Sequence, residues 1–210
     1  GLVFKIIDYF LSISLTSLVT VSRATKETIL ENANILNKGR LQSFIIHNGV
    51  PKNNFTKKDY LNLKLENFEN TPLKIGMVSR LSPDKGHEDV IKAFSILPPE
   101  YKKKMGIFFV GEDEKGQKSK LKVLINDLKL DKKIKFLDYL DLDCKKIILS
   151  LDLFISATRK FEGFGLSIAE AMSVGVPVLA SNVGAVSEFF NNDCGRLINS
   201  GKIDDLKSSL

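Results

Sequence analysis

Metal-ligating and redox motifs are missing from this sequence, whose 210 residues include two cysteines and two histidines. Cys144 and Cys194 stand far apart, in neither a zinc-ligating nor a redox spacing, which favours a reduced, cytosolic setting. His47 and His87 add no cluster to them. We therefore expect no metal site, and no Ser/His/Asp or Cys/His nucleophile set can be assembled from these residues.

Long uncharged apolar runs, internal repeats and low-complexity segments are missing too. The apolar stretch 2–19 carries Lys5 and Asp8, whereas a membrane span needs about 20 predominantly apolar residues. No secretory signal is visible. No predicted strand is followed by the G-x-G-x-x-G pattern of dinucleotide-binding folds, so a Rossmann dehydrogenase is a remote interpretation. The chain opens on Gly1 and ends at Leu210 within a helical pattern, and we expect it to be a piece of a longer protein.

The net charge of +6 allows two interpretations. One is attraction to phosphates or to an anionic membrane surface. The other is a lysine-rich composition spread over solvated helix faces, which we favour because the lysines scatter and do not interleave with aromatic residues. A nucleic-acid partner is therefore not expected. A hydrophobic fraction of 43% with 27% charged residues is typical of a globular protein and argues against disorder.

Short β-branched runs alternate with longer amphipathic segments along the chain. Strands are predicted at 18–21, 42–46, 73–79, 106–110, 134–137, 153–157, 178–181 and 196–198, and helices at 23–32, 88–97, 118–130, 144–149, 166–173 and 185–190. Because the strand runs are almost continuously apolar, the pattern predicts an α/β fold with a doubly wound parallel sheet. Ser22 is the expected N-cap of the first helix, and the polar segment 51–72 is typical of an interdomain linker.

The run from Glu162 to Glu170 is the most informative motif. Its sequence, Glu-Gly-Phe-Gly-Leu-Ser-Ile-Ala-Glu, places a glycine turn between a predicted strand and a predicted helix, an arrangement that points backbone N–H groups at a phosphate. The two carboxylates are candidates for a general acid and base, although no histidine accompanies them. Stabilisation of the helix dipole is an alternative role for Glu170.

Other unusual residues follow the carboxyl ends of predicted strands, where ligands bind in doubly wound sheets. Arg80 and Lys85 share one loop and would neutralise a leaving diphosphate, the alternative being two solvated loop cations. Gly111 has two possible roles, to allow a ligand to approach the backbone closely or simply to form a turn. Gly184 likewise either contacts a ligand or forms an ordinary strand–helix turn. The two histidines are expected to be structural or exposed, with His87 at an N-cap position.

Three blocks carry a resemblance to a known enzyme family. They are Val78-Ser-Arg-Leu with Asp84-Lys-Gly, Val110-Gly, and Glu162-Gly-Phe-Gly-Leu-Ser-Ile-Ala-Glu-Ala-Met-Ser-Val-Gly-Val-Pro-Val-Leu-Ala-Ser followed by Gly184. Thr20-Val-Ser and Ile46-His-Asn-Gly-Val extend the likeness over nearly the whole chain. Together they resemble the nucleotide-sugar-binding half of retaining GT-B glycosyltransferases, the group that includes glycogen- and sucrose-synthase relatives and bacterial polysaccharide enzymes.

The resemblance implies a division of the chain. Residues 1–50 would be a remnant of the N-terminal acceptor domain, 51–72 the linker, and 73–210 the Rossmann-like C-terminal domain, truncated at its C-terminal end. It also implies transfer of a hexose with retention and without a metal or other cofactor, from a UDP-sugar or GDP-mannose to a glycan or lipid-linked acceptor. The setting would be the inner face of the cytoplasmic membrane, with peripheral membrane association, and this chain alone would be inactive.

The resemblance also assigns roles to residues. Arg80 and Lys85 would grip the donor diphosphate, Glu170 would hold the ribose hydroxyls, and Glu162 would face the transferred sugar. Contacts with the donor are further implied for Gly163, Phe164, Gly165 and Leu166, mainly through backbone N–H groups, and for Gly111 and Tyr139. Asp138 and Tyr139 stand where the family often has a glycine, beside the expected base. A non-catalytic nucleotide-sugar-binding module and a GT-B-fold sugar-nucleotide epimerase are the alternatives.

Overall fold

The computed structural model describes residues 15–32, 41–50, 73–137 and 144–210. The predicted linker at 51–72 and the residues Asp138 and Tyr139 lie outside this part of the chain. The division into an N-terminal remnant, a linker and a C-terminal domain therefore stays a prediction.

The described residues contain eight strands and eight α-helices. The strands are β1 Ser17–Thr20, β2 Gln42–Ile45, β3 Leu73–Val78, β4 Met105–Val110, β5 Ile134–Leu137, β6 Leu153–Ser156, β7 Val178–Ser181 and β8 Gly195–Ile198. The helices are α1 Arg23–Asn32, α2 His87–Ser95, α3 Pro99–Lys104, α4 Gln117–Asp127, α5 Cys144–Leu149, α6 Leu166–Ser173, α7 Val186–Phe189 and α8 Ile203–Ser209. Every strand and helix predicted within these described ranges is present, with ends that shift by three residues at most.

One α-helix and two 3-10 turns, Pro83–Lys85 and Asn192–Cys194, were not predicted. Helix α3, with the sequence Pro-Glu-Tyr-Lys-Lys-Lys, has no buried residue, so no apolar stripe marks it in the sequence. A 3-10 turn covers Pro83–Lys85 and ends at Gly86. The predicted N-cap of α1 is confirmed, since the Thr25 backbone N–H donates to Ser22 Oγ at 3.0 Å.

All six strands of the main sheet are parallel and lie in the order β5-β4-β3-β6-β7-β8. Numbered within this sheet, that order is 3-2-1-4-5-6, which defines the Rossmann fold. The predicted doubly wound α/β fold is thereby confirmed. Strands β1 and β2 form a separate parallel pair, with Ser17 opposite Gln42.

Two hydrophobic cores lie on opposite faces of the sheet, and strand β4 contributes to both. Ile107 and Phe109 pack in the core that contains residues of α2, α4 and α8. Phe108 and Val110, which alternate with them, pack with residues of α5, α6 and α7. Because neighbouring residues of a strand point to opposite faces, a central strand covered on both sides must be apolar throughout.

Strands β3 and β6 mark the point where the strand order reverses, and the loops that follow them meet closely. Gly86 has φ +77°, and a Cβ atom at this position would lie 2.0 Å from the Ala157 carbonyl oxygen. Gly111, after β4, is similarly confined, because a Cβ there would lie 1.9 Å from the Ser79 oxygen. Both glycines therefore permit a close approach between backbones. No helix in the described ranges combines the length and apolarity needed to cross a bilayer.

We predict that Gly86→Ala destabilises the fold far more than Gly116→Ala. The two glycines have nearly the same φ, +77° and +73°, but a Cβ at Gly116 meets nothing within 4 Å. Gly116→Ala should therefore cost only the left-handed conformation, about 1 kcal/mol, whereas Gly86→Ala adds a backbone clash and should cost at least about 2 kcal/mol more. Urea unfolding followed by circular dichroism measures both, and equal losses would contradict the close approach.

Candidate functional site

A cavity of about 720 Å³ opens at the carboxyl edge of the sheet, where β3, β4 and β6 end. Its volume is that of a typical small-molecule site. Nine of the ten residues predicted for the site line it, namely Arg80, Lys85, Gly111, Glu162, Gly163, Phe164, Gly165, Leu166 and Glu170. The tenth, Tyr139, lies outside the described residues. The structure thus brings three separate loops to one place, while the roles assigned to these residues stay predictions.

Lys85 and Glu162, which both line the cavity, form an ion pair. Lys85 Nζ lies 2.8 Å from Glu162 Oε2, and the two side chains are only 16% and 18% exposed. The Thr158 hydroxyl donates to the same carboxylate oxygen at 3.2 Å. The pair joins the loop after β3 to the loop after β6, so the cation is held in place before any ligand arrives.

The backbone of Glu162 is held in place by the loop after β7. Gly184 has φ +56°, and a Cβ there would lie 2.2 Å from the Glu162 carbonyl oxygen. Ala185 N–H donates to that same oxygen at 2.9 Å. Gly184 does not line the cavity, so its close approach supports Glu162 and favours the structural alternative over the ligand contact.

Arg80 lies at the rim and is held loosely. Its Nη1 is 3.4 Å from Glu114 Oε2, and the two side chains are 64% and 37% exposed. Exposed ion pairs of this kind contribute little stability. The guanidinium can therefore leave Glu114 for an anionic ligand at small cost.

The glycine turn leads directly into helix α6. Gly165 is its N-cap, with φ +91°, and the first backbone hydrogen bond of the helix runs from Ala169 N to Gly165 O. Among the described residues, the N–H groups of Phe164, Gly165 and Leu166 have no backbone partner. Unpaired N–H groups at a helix start attract anions.

Glu170 lies in the second turn of α6, since the helix begins at Leu166. Stabilisation by the helix dipole is confined to the first turn. The dipole alternative for Glu170 is therefore weakened, and the side chain lines the cavity instead.

Arg159 is a cation near the site whose side chain contacts other protein residues and supports the fold. Its guanidinium donates to both oxygens of the buried Asp89 carboxylate at 2.7 and 2.6 Å, and its backbone N–H donates to Asp84 O at 2.7 Å. The hydrogen bonds to Asp89 raise the pKa of Arg159, which therefore stays charged. This pair fastens the loop after β6 to helix α2.

The sequence predicted His87 as the N-cap of α2, and this prediction is wrong. Gly86 takes that position in a left-handed conformation, which turns the His87 ring into the core, where it is 1% exposed. The ring lies edge-on to Phe109 with centroids 4.9 Å apart, and its Nε2 is 3.4 Å from Ser79 Oγ. Burial, aided by repulsion from Lys85, lowers the pKa of His87 to about 4.

Several cavity residues were not singled out from the sequence. Ser79 and Thr158 follow β3 and β6, Ser167 lies in the first turn of α6, and Val21 and Asn48 come from the first described segments. Ser79 and Thr158 lie in loops that follow the carboxyl ends of predicted strands, so their position indicated the ligand side of the sheet. Val21 and Asn48 lie in segments that extend the family resemblance, but their contact with the cavity depends on tertiary packing and was not predicted.

A parallel Rossmann sheet with a glycine turn, a helix start and two cations at its switch point is typical of domains that bind nucleotides or phosphates. Residues 62–210 match the protein family described as Glycosyl transferases group 1. The chain belongs to that family, and the resemblance to GT-B glycosyltransferases is confirmed.

Individual relatives agree with this assignment. The chain is 30% identical over 151 residues to the O-antigen biosynthesis glycosyltransferase WclY of Escherichia coli, covering 71% of this chain and 40% of the relative. It is 27% identical over 207 residues to the capsular polysaccharide biosynthesis glycosyltransferase CapM of Staphylococcus aureus, covering 89% of this chain and 49% of the relative. The chain thus spans about half the length, or less, of these curated relatives.

Solved structures give the same fold. Anabaena Alr3699/HepE in complex with UDP superposes with a TM-score of 0.76 at 26% identity, over 92% of this chain and 52% of that one. The sucrose-phosphate synthase of Thermosynechococcus elongatus superposes with a TM-score of 0.79 at 18% identity, over the whole chain and 51% of the other. The second likeness shows the fold alone.

We predict that His87 makes the fold less stable in acid. Its pKa is about 4 in the folded chain against 6.5 for an ordinary histidine, so the unfolded chain binds a proton more readily between these values. The free energy of unfolding should therefore fall as the pH drops from about 6.5 to about 4, by about 3 kcal/mol from this group.

Urea unfolding between pH 4 and 7.5 measures this effect. His87→Phe and His87→Asn should both flatten the pH dependence above pH 4.5, whatever their stability at pH 7. Gly116→Ala supplies the control, since it changes no titratable group and should keep the wild-type slope. A slope that survives in both His87 variants would show that other groups cause it.

Proposed function

We propose that this chain is the donor-binding half of a glycosyltransferase, which moves a hexose from a nucleoside diphosphate sugar to a glycan or lipid-linked acceptor with retention. The observation that carries the proposal is the convergence of Arg80, Lys85, the glycine turn and two carboxylates on one cavity at the switch point. Membership of the glycosyltransferase family supports it. The names of the relatives, which refer to O-antigen and capsular polysaccharide biosynthesis, favour surface glycan synthesis. We further propose that this synthesis takes place at the inner face of a membrane.

The donor would occupy the cavity along its length. Arg80 and Lys85 hold the diphosphate, the N–H groups of the glycine turn contact phosphate and sugar, and Glu170 holds the ribose hydroxyls. Glu162 faces the transferred sugar. One structural neighbour, Anabaena Alr3699/HepE, was solved both with UDP and with UDP-glucose, which favours a UDP-sugar over GDP-mannose as the donor.

The reaction would proceed by direct exchange on one face of the sugar. The bond between the anomeric carbon and the diphosphate oxygen breaks, and its electron pair stays with the diphosphate. The acceptor hydroxyl oxygen bonds to the anomeric carbon from the same face, and its proton passes to the leaving diphosphate oxygen. Arg80 and Lys85 stabilise the charge that develops on the leaving group, so no metal ion is required.

The ion pair prepares the site for this step. Glu162 holds the Lys85 ammonium group at 2.8 Å in a largely buried position, and this contact fixes the cation before the donor binds. A fixed charge needs no reorganisation when the leaving group becomes more negative. The arrangement therefore favours the transition state over the bound donor.

A binding module without catalytic activity is the second candidate. The observation in its favour is that every donor contact described above lies within this chain, whereas the chain aligns with about half of each relative. Binding without turnover by this chain is expected under both candidates. Turnover by a longer polypeptide that includes this chain would separate them.

We predict that the chain binds UDP more tightly than GDP or ADP. The measurement is calorimetric titration of the 210-residue chain with each nucleotide. Binding of none of the three would overturn the proposal, and tighter binding of GDP would replace the UDP-sugar with GDP-mannose.

We predict that Lys85→Gln weakens UDP binding by about tenfold or more, because a charge-assisted contact to phosphate is lost. Glu162 would then be left buried without its partner, so the variant Lys85→Gln/Glu162→Gln removes both charges and separates lost binding from lost stability. It should also bind weakly. Lys102→Gln is the matched control, since Lys102 donates to Ser95 O outside the cavity. Unchanged UDP affinity in both Lys85 variants would remove this residue from the site.

A further inference from the structure

The carbonyl group of the glycine turn is held by side chains that lie some 140 residues earlier. Ser22 Oγ donates to Gly163 O at 2.6 Å, and Thr25 Oγ1 lies 3.1 Å from the same oxygen. Ser22 is fully buried, and its hydroxyl also accepts the Thr25 N–H. Neither hydroxyl is among the proposed contacts with the nucleoside diphosphate sugar.

The start of helix α1, which carries these hydroxyls, is itself anchored by helix α7. The Glu188 carboxylate on α7 accepts hydrogen bonds from the N–H groups of Arg23 and Ala24, each at 2.8 Å. Partial burial raises the pKa of Glu188, but these two hydrogen bonds, helped by His47 and Arg23, bring it below the usual value. A carboxylate at a helix start also interacts favourably with the helix dipole. Ser22, Thr25 and Glu188 are called the α1 clamp below.

The clamp fixes the direction of one backbone N–H group. A peptide unit is planar and trans, so its C=O and N–H bonds point in opposite directions. Because the Gly163 carbonyl points at α1, the following Phe164 N–H points away from α1. The Phe164 ring is fixed as well, stacked on Phe189 with centroids 4.8 Å apart and 5.8 Å from the His47 ring. Phe164 and both glycines of the turn line the cavity.

We propose that Ser22, Thr25 and Glu188 are positioning residues for the donor: they hold the Gly163–Phe164 peptide so that the Phe164 N–H faces the diphosphate and sugar. This inference rests on the proposed function of the same cavity. It assigns a role in donor binding to residues of the first described segment, through hydrogen bonds to the turn and without contact with the donor.

The turn needs such a constraint because of its composition. Gly163 and Gly165 flank Phe164, and Gly165 is in a left-handed conformation with φ +91°. Glycine has the widest conformational freedom of all residues, so a turn built on two of them is intrinsically flexible. An N–H group contributes to electrostatic catalysis or binding only when its orientation is set in advance. The α1 clamp supplies that orientation through the carbonyl of the same peptide.

The experiment compares hydroxyl removal at the clamp with hydroxyl removal elsewhere on the same helix. The test variant is Ser22→Ala/Thr25→Val in the 210-residue chain. Thr28→Val is the matched control, since the Thr28 hydroxyl donates within α1 to Ala24 O at 2.9 Å. Thr25→Ser keeps the clamp hydroxyl and serves as the conservative variant.

The binding readout uses UDP against uridine, which lacks the diphosphate. The double variant should bind UDP about tenfold more weakly, as expected for losing two part-buried hydrogen bonds, with uridine affinity unchanged. Thr28→Val and Thr25→Ser should keep the wild-type UDP affinity. Equal UDP affinity in the double variant and in the unmodified chain would overturn the inference, and so would a parallel loss for UDP and uridine, which indicates general unfolding.

A spectroscopic readout tests the clamp without any nucleotide. In an amide NMR spectrum, the double variant should shift and broaden the Phe164 and Gly165 signals and leave those of β4 in place. If the unmodified chain binds no nucleotide, the proposed function fails, whereas this spectrum still decides whether the clamp orders the turn. Unchanged Phe164 and Gly165 signals would contradict the clamp even in a chain that binds UDP.

Discussion

The ion pair between Lys85 and Glu162 connects the two loops between which the cavity opens. Lys85 follows β3 and Glu162 follows β6, the strands at which the sheet order reverses. Both side chains are more than four-fifths buried, so loss of either partner would leave a buried charge uncompensated. The close approach of Gly86 to Ala157 brings these loops near enough for the pair to form, and the approach of Gly184 fixes the Glu162 backbone. The position of the site therefore follows from the topology of the sheet.

Charged residues near the cavity divide into two groups by how they are held. The guanidinium of Arg159 is bound by both oxygens of the buried Asp89 carboxylate, and that bidentate contact leaves it to support the loop after β6. Arg80, with a single long contact to Glu114, is available to a ligand. Two arginines at the ends of neighbouring strands thus have different roles, and only their hydrogen-bond partners distinguish them.

The sequence was sufficient to predict the strands, the fold class and nine of the cavity residues. Apolar runs mark buried strands, and glycines and charges after their carboxyl ends mark the ligand side of a parallel sheet. Contacts between residues far apart in the chain left no such mark. Neither the Lys85–Glu162 pair nor the hydrogen bond from Ser22 to Gly163 follows a periodicity, and the burial of His87 depends on a left-handed Gly86. The role of Tyr139 stays a prediction.

Formal charge alone does not explain how the cavity would attract an anionic diphosphate. Its described lining contains two cations, Arg80 and Lys85, and three carboxylates, Glu112, Glu162 and Glu170. Carboxylates therefore outnumber cations, and the favourable potential must come from where the cations lie and from oriented backbone dipoles. The glycine turn and the start of α6 supply those dipoles. Since a dipole acts only in the direction in which it is held, the hydroxyls that fix the Gly163 carbonyl become part of the electrostatics of the site.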